Sequence, residues 1–179
     1  MRWCRAEQRR ARPVIAVMGS GIAGHGARAG PLGRWIAGQG FHLLTGGGGG
    51  VMASVAEAFA AAPGRAGLVI GVLPGQAGDA YPNPWVEIVI RTHLPLTGAR
   101  GAEAGSRNHI NVLSADVVVA LPGGEGTASE VRLACAYRRP VVAHIADRGD
   151  IPGMPEQVPL APGLDEVAAF VLAALDSAG

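Results

Sequence analysis

Short apolar runs recur along this chain, and most of them end in a turn rich in glycine or proline. A continuous apolar run bounded by turn residues is typical of a strand that is buried on both faces of a parallel sheet. The predicted strands are Val14–Met18, Phe41–Leu44, Leu68–Leu73, Val86–Ile90, Asp116–Leu121 and Pro140–Ile145.

Between these runs, apolar residues recur at helical spacing. Leu32, Trp35 and Ile36 lie on one face of a predicted helix that Gly40 ends, because glycine commonly follows the last helical turn. The segment Arg91–Ser106 has no clear period and is expected to cross the face where a ligand binds. The predicted helices are Ala23–Gln39, Val51–Ala62, Arg107–Leu113, Gly126–Arg138 and Leu164–Leu175.

The alternation of strands and helices predicts a Rossmann-like α/β fold. We expect a three-layer α/β/α domain over residues 13–179, with a mainly parallel sheet of about six or seven strands. Residues 1–12 are rich in Arg and are expected to form a disordered basic tail. Right-handed crossovers place the carboxyl end of every strand at one edge of the sheet, where ligands bind. The candidate chemistry therefore lies in the turns at that edge.

The segment Leu121–Glu130, LPGGEGTASE, joins a predicted strand to a predicted helix. Glycines remove the Cβ atoms that would block an oxyanion, and the start of a helix offers free N–H groups and a positive dipole end. The segment therefore predicts a phosphate-binding turn; an ordinary tight turn with Glu130 as a capping acid is the alternative. The candidate ligand-binding residues are Pro122, Gly123, Gly124, Gly126, Thr127 and Glu130.

Two further glycine-rich turns follow strands at the same edge. The five glycines Gly46–Gly50 stand between a strand and a helix, which again favours phosphate binding, with a flexible linker as the alternative. The first strand ends in Gly19-Ser20-Gly21. The candidate ligand-binding residues of these two turns are Gly19, Ser20, Gly47, Gly48, Gly49, Gly50 and Val51.

Arginines supply the candidate positive charge of the site. Arg107, within Ser106-Arg107-Asn108, precedes the central strand, and Arg91 follows the fourth strand. A guanidinium makes two parallel hydrogen bonds to a phosphate or a carboxylate. We predict that Ser106, Arg107, Asn108 and Arg91 contribute to ligand binding; a plain surface charge is the alternative for each arginine.

Composition excludes several classes of protein. All 15 basic residues are Arg, so a pyridoxal-phosphate enzyme with a Schiff-base Lys and a Walker-type P-loop are both excluded. The formal net charge of +1 makes nucleic acid an unexpected partner, and no apolar run approaches the length of a membrane span. The two cysteines and five histidines lack metal-ligand spacing, so we expect no protein-bound metal. Two separate thiols indicate a reducing, cytoplasmic compartment.

The sequence resembles a known superfamily at several motifs. PGGEGTASE matches the PGGxGTxxE signature of the LONELY GUY-type proteins, which were once misannotated as lysine decarboxylases. THLPLTGARG, GSRNHINVLSADVVVALPGGEGTASEV and GGGGGVMASVAEAF are similar to a sister branch, the molybdenum cofactor carrier proteins and their bacterial homologues. The resemblance covers residues 13–145, nearly the whole predicted fold.

The resemblance implies two functions. The carrier branch implies a binding protein for molybdenum cofactor, a pterin with a phosphate, that serves molybdoenzymes. The LONELY GUY branch implies instead an enzyme that cleaves the N-glycosidic bond of an N6-modified AMP, with Arg107 and Glu130 as its catalytic residues. Arg107 here stands in Gly-Ser-Arg-Asn, whereas that branch has Met-His-x-Arg-Lys. Related proteins form dimers and some form tetramers, so a homodimer or homotetramer is expected.

Overall fold

A computed structural model describes residues 12–75, 77–78 and 81–177 of the chain. Six strands and five α-helices follow one another within these residues. The strands are β1 (Val14–Met18), β2 (His42–Thr45), β3 (Val69–Leu73), β4 (Ile88–Arg91), β5 (Val117–Ala120) and β6 (Val141–Ala143). The helices are α1 (Gly26–Gly38), α2 (Val51–Ala60), α3 (Asn108–Leu113), α4 (Glu125–Ala136) and α5 (Leu164–Ser177).

The six strands form one sheet in the order β4-β3-β2-β1-β5-β6, and every pairing is parallel. The chain adds strands outward from β1 to β4 and then returns to place β5 on the other side of β1. The predicted Rossmann-like α/β fold is therefore confirmed, with a sheet that is parallel throughout the described residues. The order of the strands reverses between β1 and β5, which is where ligands bind in folds of this kind.

Helices cover both faces of the sheet. One apolar cluster packs α1, α2 and α5 against the sheet through residues such as Ile15, Leu32 and Phe59. A second cluster packs α3 and α4 against the opposite face, with Val118 and Val131 near its centre. Strands β1 and β5 contribute side chains to both clusters, which explains why their sequences are apolar at every position.

Close packing of α1 on α2 depends on a glycine. A Cβ placed at Gly33 would collide with the carbonyl oxygen of Val55 and lie 3.1 Å from the amide nitrogen of Phe59. The two helix backbones therefore approach each other more closely than any larger residue at position 33 allows. This contact sets the position of α2, whose first turn borders the ligand edge.

Most element boundaries differ from the sequence prediction by a few residues, and one of the differences has a local reason. Helix α1 begins at Gly26 rather than Ala23, because the Ser20 hydroxyl oxygen accepts the N–H groups of Ile22 and Ala23 and holds them in a turn. Strand β4 begins at Ile88 rather than Val86. The predicted basic tail lies outside the described residues except for Arg12, whose guanidinium donates to the Gly40 carbonyl at 3.0 Å.

Candidate functional site

The turns that follow β1 and β5 meet at the point where strand order reverses. The Ser20 amide donates to the Pro122 carbonyl at 3.0 Å, and a Cβ at Gly123 would lie 2.9 Å from the Ser20 amide nitrogen. The five-glycine turn joins them, because the Val51 amide donates to the Ser20 carbonyl at 2.8 Å. The three glycine-rich turns predicted from the sequence are thus one connected structure at the carboxyl edge of the sheet.

A cavity of about 370 Å³ opens beside these turns. This volume lies in the range of small-molecule sites in proteins. Its lining combines the start of α4, the end of β1 with the turn that follows it, Met52 of α2, Thr97–Gly98, and two residues at the start of α3. The lining residues are Met18, Gly19, Ser20, Gly21, Ile22, Met52, Thr97, Gly98, Arg107, Asn108, Gly124, Gly126, Thr127 and Glu130.

The guanidinium of Arg107 is buried in the wall of this cavity without a neutralising hydrogen bond. Arg107 is only 5% exposed, and its Nε and one terminal nitrogen, NH1, have no hydrogen-bond partner among the described residues. The nearest acid is Glu130, whose Oε1 lies 3.6 Å from NH1, a distance too long for a hydrogen bond. Buried polar groups are normally satisfied, so this guanidinium is suited to an anionic ligand.

A bare glycine fixes the position of that guanidinium. A Cβ at Gly46 would lie 2.5 Å from NH1 of Arg107 and 2.7 Å from its Cζ. Arg107 therefore packs flat on the backbone at the end of β2. The first glycine of the five-glycine run is needed for this contact, and its role is to make room for a side chain of the protein.

Glu130 lies at the same wall and is 7% exposed. Burial raises the pKa of its carboxyl above the ordinary value, and the opposing effects of Arg107 and of a hydrogen bond from Asn111 are smaller. The Asn111 amide donates to Oε1 of Glu130 at 3.0 Å. Burial therefore disfavours the charged form of Glu130 next to the Arg107 guanidinium.

The start of α4 adds hydrogen-bond donors. Its first intrahelical bond runs from the Ala128 amide to the Gly124 carbonyl at 3.0 Å, so the amides of the preceding residues in the first turn have no intrahelical acceptor. Gly124, Gly126 and Thr127 border the cavity at this point. The helix dipole and these N–H groups favour an anion next to Arg107.

Several predicted residues line the cavity and others support it from behind. The predicted residues that border it are Gly19, Ser20, Arg107, Asn108, Gly124, Gly126, Thr127 and Glu130. Among the remaining candidates, Ser106 is fully buried, and its hydroxyl accepts the Asn108 amide at 3.2 Å. Pro122 and Gly123 join the turn after β5 to Ser20.

The five-glycine turn also lies behind the cavity. Gly47, Gly48, Gly49 and Gly50 are not among the lining residues, and Val51 is a core residue that packs against Gly19. The backbone amide of Asn83 donates to the Gly47 carbonyl, and its side-chain amide donates to the Gly48 carbonyl. A Cβ at Gly48 would lie 2.9 Å from the methyl carbon of Met52. These glycines bring α2 and Met52 to the site.

Arg91 lies apart from the cavity. It ends the edge strand β4, is exposed, and pairs in register with Leu73. The order of strands explains this separation, because β3 and β2 stand between β4 and the reversal point at β1. The sequence places Arg91 after a strand but carries no information on how far that strand lies from the centre of the sheet.

The sequence prediction missed six lining residues. Met18 lies in a predicted strand and Met52 in a predicted helix, and neither was predicted as a binding residue. Gly21 belongs to the turn after β1, of which only Gly19 and Ser20 were predicted to bind a ligand. Ile22 is a single large apolar residue in a loop of glycine, serine and alanine, which is an unusual signal. Thr97 and Gly98 belong to the aperiodic segment predicted to cross the ligand face, and the short 3₁₀ helix Gly98–Arg100 within it packs on α4.

The described residues offer neither a cluster of metal-binding side chains nor a membrane-spanning helix. Residues 12–75, 77–78 and 81–177 contain no group of three or more His, Cys, Asp or Glu side chains arranged to hold a metal ion. No helix within the same ranges is long and apolar enough to cross a membrane.

Solved structures similar to this chain include molybdenum cofactor proteins. The molybdenum cofactor binding protein from the phototrophic bacterium Rippkaea orientalis is 32% identical with a TM-score of 0.70, and the match covers 92% of this chain and 98% of that one. The molybdenum cofactor carrier protein from Chlamydomonas reinhardtii is 32% identical with a TM-score of 0.70, covering 93% and 99%.

Two other matches cover a smaller share of the matched protein. DNA processing protein A from Helicobacter pylori is 16% identical with a TM-score of 0.67, covering 90% of this chain and 80% of that one, and it supports the fold alone. An uncharacterised protein of Archaeoglobus fulgidus is 34% identical over 103 residues, which is 58% of this chain and 59% of the relative's length. Residues 12–156 match the SLOG cluster4 family, and the chain belongs to that family.

Proposed function

We propose that this protein binds molybdenum cofactor and acts as its carrier or storage protein. The observation that carries the proposal is the buried Arg107 guanidinium, whose Nε and NH1 have no hydrogen-bond partner in the described part of the chain and which lies beside the start of α4 in a cavity of about 370 Å³. The similarity to the cofactor proteins of Rippkaea orientalis and Chlamydomonas reinhardtii supports the same ligand.

The residues present fit the phosphate of such a ligand. Arg107 would pair with the phosphate oxygens, and the free N–H groups at the start of α4 would donate to them. The hydroxyl of Thr127, which is 3% exposed, borders the same space. No protein metal ligand is required, because the metal belongs to the cargo.

Glu130 has a separate role in this proposal. Burial raises the pKa of its carboxyl, so the group ionises less readily than an exposed glutamate. A carboxylate accepts hydrogen bonds and a protonated carboxyl also donates one, and the edge of a pterin ring offers both donors and acceptors. We therefore assign Glu130 to recognition of ligand donors and acceptors, with Asn111 holding its Oε1.

The test is anaerobic loading of the purified protein with molybdenum cofactor. The protein should retain the cofactor through gel filtration. Because the proposed recipient is an apo-molybdoenzyme, the loaded protein should then reconstitute apo-nitrate reductase. Arg107→Gln should lose retention while keeping its thermal transition, and Arg91→Gln, far from the cavity, should retain the cofactor. Failure of the wild-type protein to retain the cofactor would refute the proposal.

A second candidate function is phosphoribohydrolysis of a nucleoside 5′-monophosphate. It is favoured by the 3.6 Å separation of Arg107 and Glu130 at one cavity wall. Arg107 would hold the phosphate or the leaving base, and Glu130 would stabilise the oxocarbenium-like ribosyl centre. Incubation with AMP and N6-isopentenyl-AMP should release free base if this function holds, and Glu130→Ala should abolish the release. Absence of free base removes this candidate.

A homo-oligomer is proposed on the basis of the sheet edge. Strand β4 is the last strand of the sheet, and Ile88, Val89 and Ile90 are 40%, 37% and 38% exposed. Within the described part of the chain, β4 is thus an exposed apolar edge strand, and such a strand is suited to pairing with a second copy of the chain. Light scattering should give a dimer or tetramer mass, and a monomer mass would contradict this.

A further inference from the structure

One large apolar side chain stands at the cavity with almost no protein contact. Ile22 is 96% exposed, whereas Leu113 and Leu172 are 46% and 41% exposed. Single exposed apolar residues are common on protein surfaces and require no explanation in general. Ile22 differs because it borders the cavity that contains Arg107 and Glu130.

The backbone, rather than side-chain packing, holds Ile22 in place. Its amide donates to the Ser20 hydroxyl oxygen at 3.2 Å, and the Ala23 amide donates to the same oxygen at 3.0 Å. On the other side, a Cβ at Gly50 would lie 2.6 Å from the Ile22 amide nitrogen. The loop is therefore tied to two turns while its apolar side chain remains uncovered.

Two methionines extend this apolar area within the same cavity. Met18 ends β1 and is 2% exposed, and Met52 stands in the first turn of α2. A Cβ placed at Gly48 would lie 2.9 Å from the methyl carbon of Met52, so this glycine leaves room for the side chain, and a Cβ at Gly21 would be in ordinary contact with the same carbon at 3.8 Å. Thioether side chains adapt to irregular shapes and interact well with aromatic rings. We call Met18, Ile22 and Met52 the apolar wall.

We propose that the apolar wall receives a flat ring of the ligand and that Ile22 is a specificity-determining residue. The site thereby selects ring-bearing monophosphates over phosphates that lack a ring. A single tetrahedral oxyanion at Arg107 would occupy only part of about 370 Å³, which leaves space at the apolar wall. This inference rests on the proposed function, since it assumes that the cavity binds a phosphate-bearing molecule.

The wall also explains the exposure of Ile22. A ring lying on its side chain would remove apolar surface from water only when the ligand is present, so the gain in free energy contributes to affinity. The same gain is absent for inorganic phosphate, which has no apolar surface. The ratio of the two association constants therefore measures the contribution of the wall.

The experiment is titration calorimetry with two probes, 6-hydroxymethylpterin monophosphate and inorganic phosphate. The wild-type protein should bind the pterin monophosphate at least tenfold more tightly than phosphate. In Ile22→Ala the ratio of the two association constants should fall about five- to tenfold, as expected for loss of a few partly buried methylene groups. Met52→Ala should lower the same ratio. Leu172→Ala, an exposed apolar residue on α5, is the matched control and should leave the ratio unchanged.

The outcomes separate this inference from the proposed function. If the wild-type protein binds neither probe, both are refuted. If it binds both probes equally, the cavity takes phosphate and the inference about the ring is wrong. An unchanged ratio in Ile22→Ala, with a normal thermal transition, also overturns it. Because Ile22 has almost no contact with the rest of the protein, this variant is expected to fold normally.

Discussion

The substitution Gly46→Ala tests the structural basis of the anion site without removing any charged group. Gly46 does not have a left-handed φ, so alanine fits its backbone conformation. Its new methyl group would lie 2.5 Å from NH1 and 2.7 Å from Cζ of Arg107. Carbon contacts are normally about 3.5–4.0 Å, so the guanidinium must move by about 1 Å.

We expect Gly46→Ala to weaken ligand affinity more than it lowers the stability of the fold. The guanidinium is the end of a flexible side chain, so its displacement should cost less than about 1 kcal/mol of stability, and the stiffer alanine backbone offsets part of this. Hydrogen bonds to a charged group contribute about 1.5–3 kcal/mol each, so loss of one of them from the phosphate weakens affinity about 10- to 100-fold.

The measurement combines calorimetric titration of the phosphate-bearing probe with thermal unfolding. Gly38→Ala is the matched control, because a Cβ at this last residue of α1 meets no atom within 4 Å. We expect Gly38→Ala to bind as the wild type does. An affinity of Gly46→Ala within about twofold of the wild type would refute the role assigned to Arg107 and its glycine support.

Three further predictions concern stability and are measured by thermal or denaturant unfolding. Gly33→Ala should lower the free energy of unfolding by about 1–3 kcal/mol, because its methyl group meets the Val55 carbonyl; an unchanged midpoint would contradict the packing of α1 on α2. Burial raises the pKa of Glu130 above 4.5, so the free energy of unfolding of the wild type should decline as pH rises from 4.5 through the folded-state pKa. Glu130→Gln lacks this ionisation, so its stability relative to the wild type should increase over that interval. A stability difference between the two proteins that does not change with pH would disprove the shift. Burial raises the pKa of Glu87, but the hydrogen bonds from Arg65 and from a backbone amide together lower it by more, so the pKa lies below 4.5. The wild type should therefore be more stable than Glu87→Gln above pH 4.5, and this difference should vanish as pH falls. A Glu87→Gln deficit that persists at acid pH would argue against the ion pair.

The sequence was sufficient to predict the fold and the positions of its glycine-rich turns. Buried parallel strands require apolar residues on both faces, and glycine-rich turns before helices are a local property of the chain, so both are visible in one dimension. The strand Val14–Met18 and the turn Pro122–Thr127 were predicted for this reason and lie where expected. Arg107 was predicted from the bidentate chemistry of its side chain, and it lines the cavity.

The tertiary structure alone decided which of these residues face the cavity. Strand order separates Arg91 from the reversal point, although the sequence places Arg91 at the end of a strand just as it does Gly19. The five glycines pack against Arg107, Leu73, Met52 and the turn after β1. Glycine is required wherever a backbone is approached closely, whether by a ligand or by another part of the protein, so the sequence alone does not distinguish the two cases.

What the sequence by itself determined is the set of elements, their alternation and the glycine-rich turns at the ends of the strands, because each depends on neighbours along the chain. Only the packed structure decided that Nε and NH1 of the buried Arg107 have no hydrogen-bond partner among the described residues, that burial raises the pKa of Glu130, and that Ile22 stands exposed at the cavity. Burial and the distances between charges depend on residues far apart in the sequence. Those quantities arise only when β1 and β5 come together in the sheet.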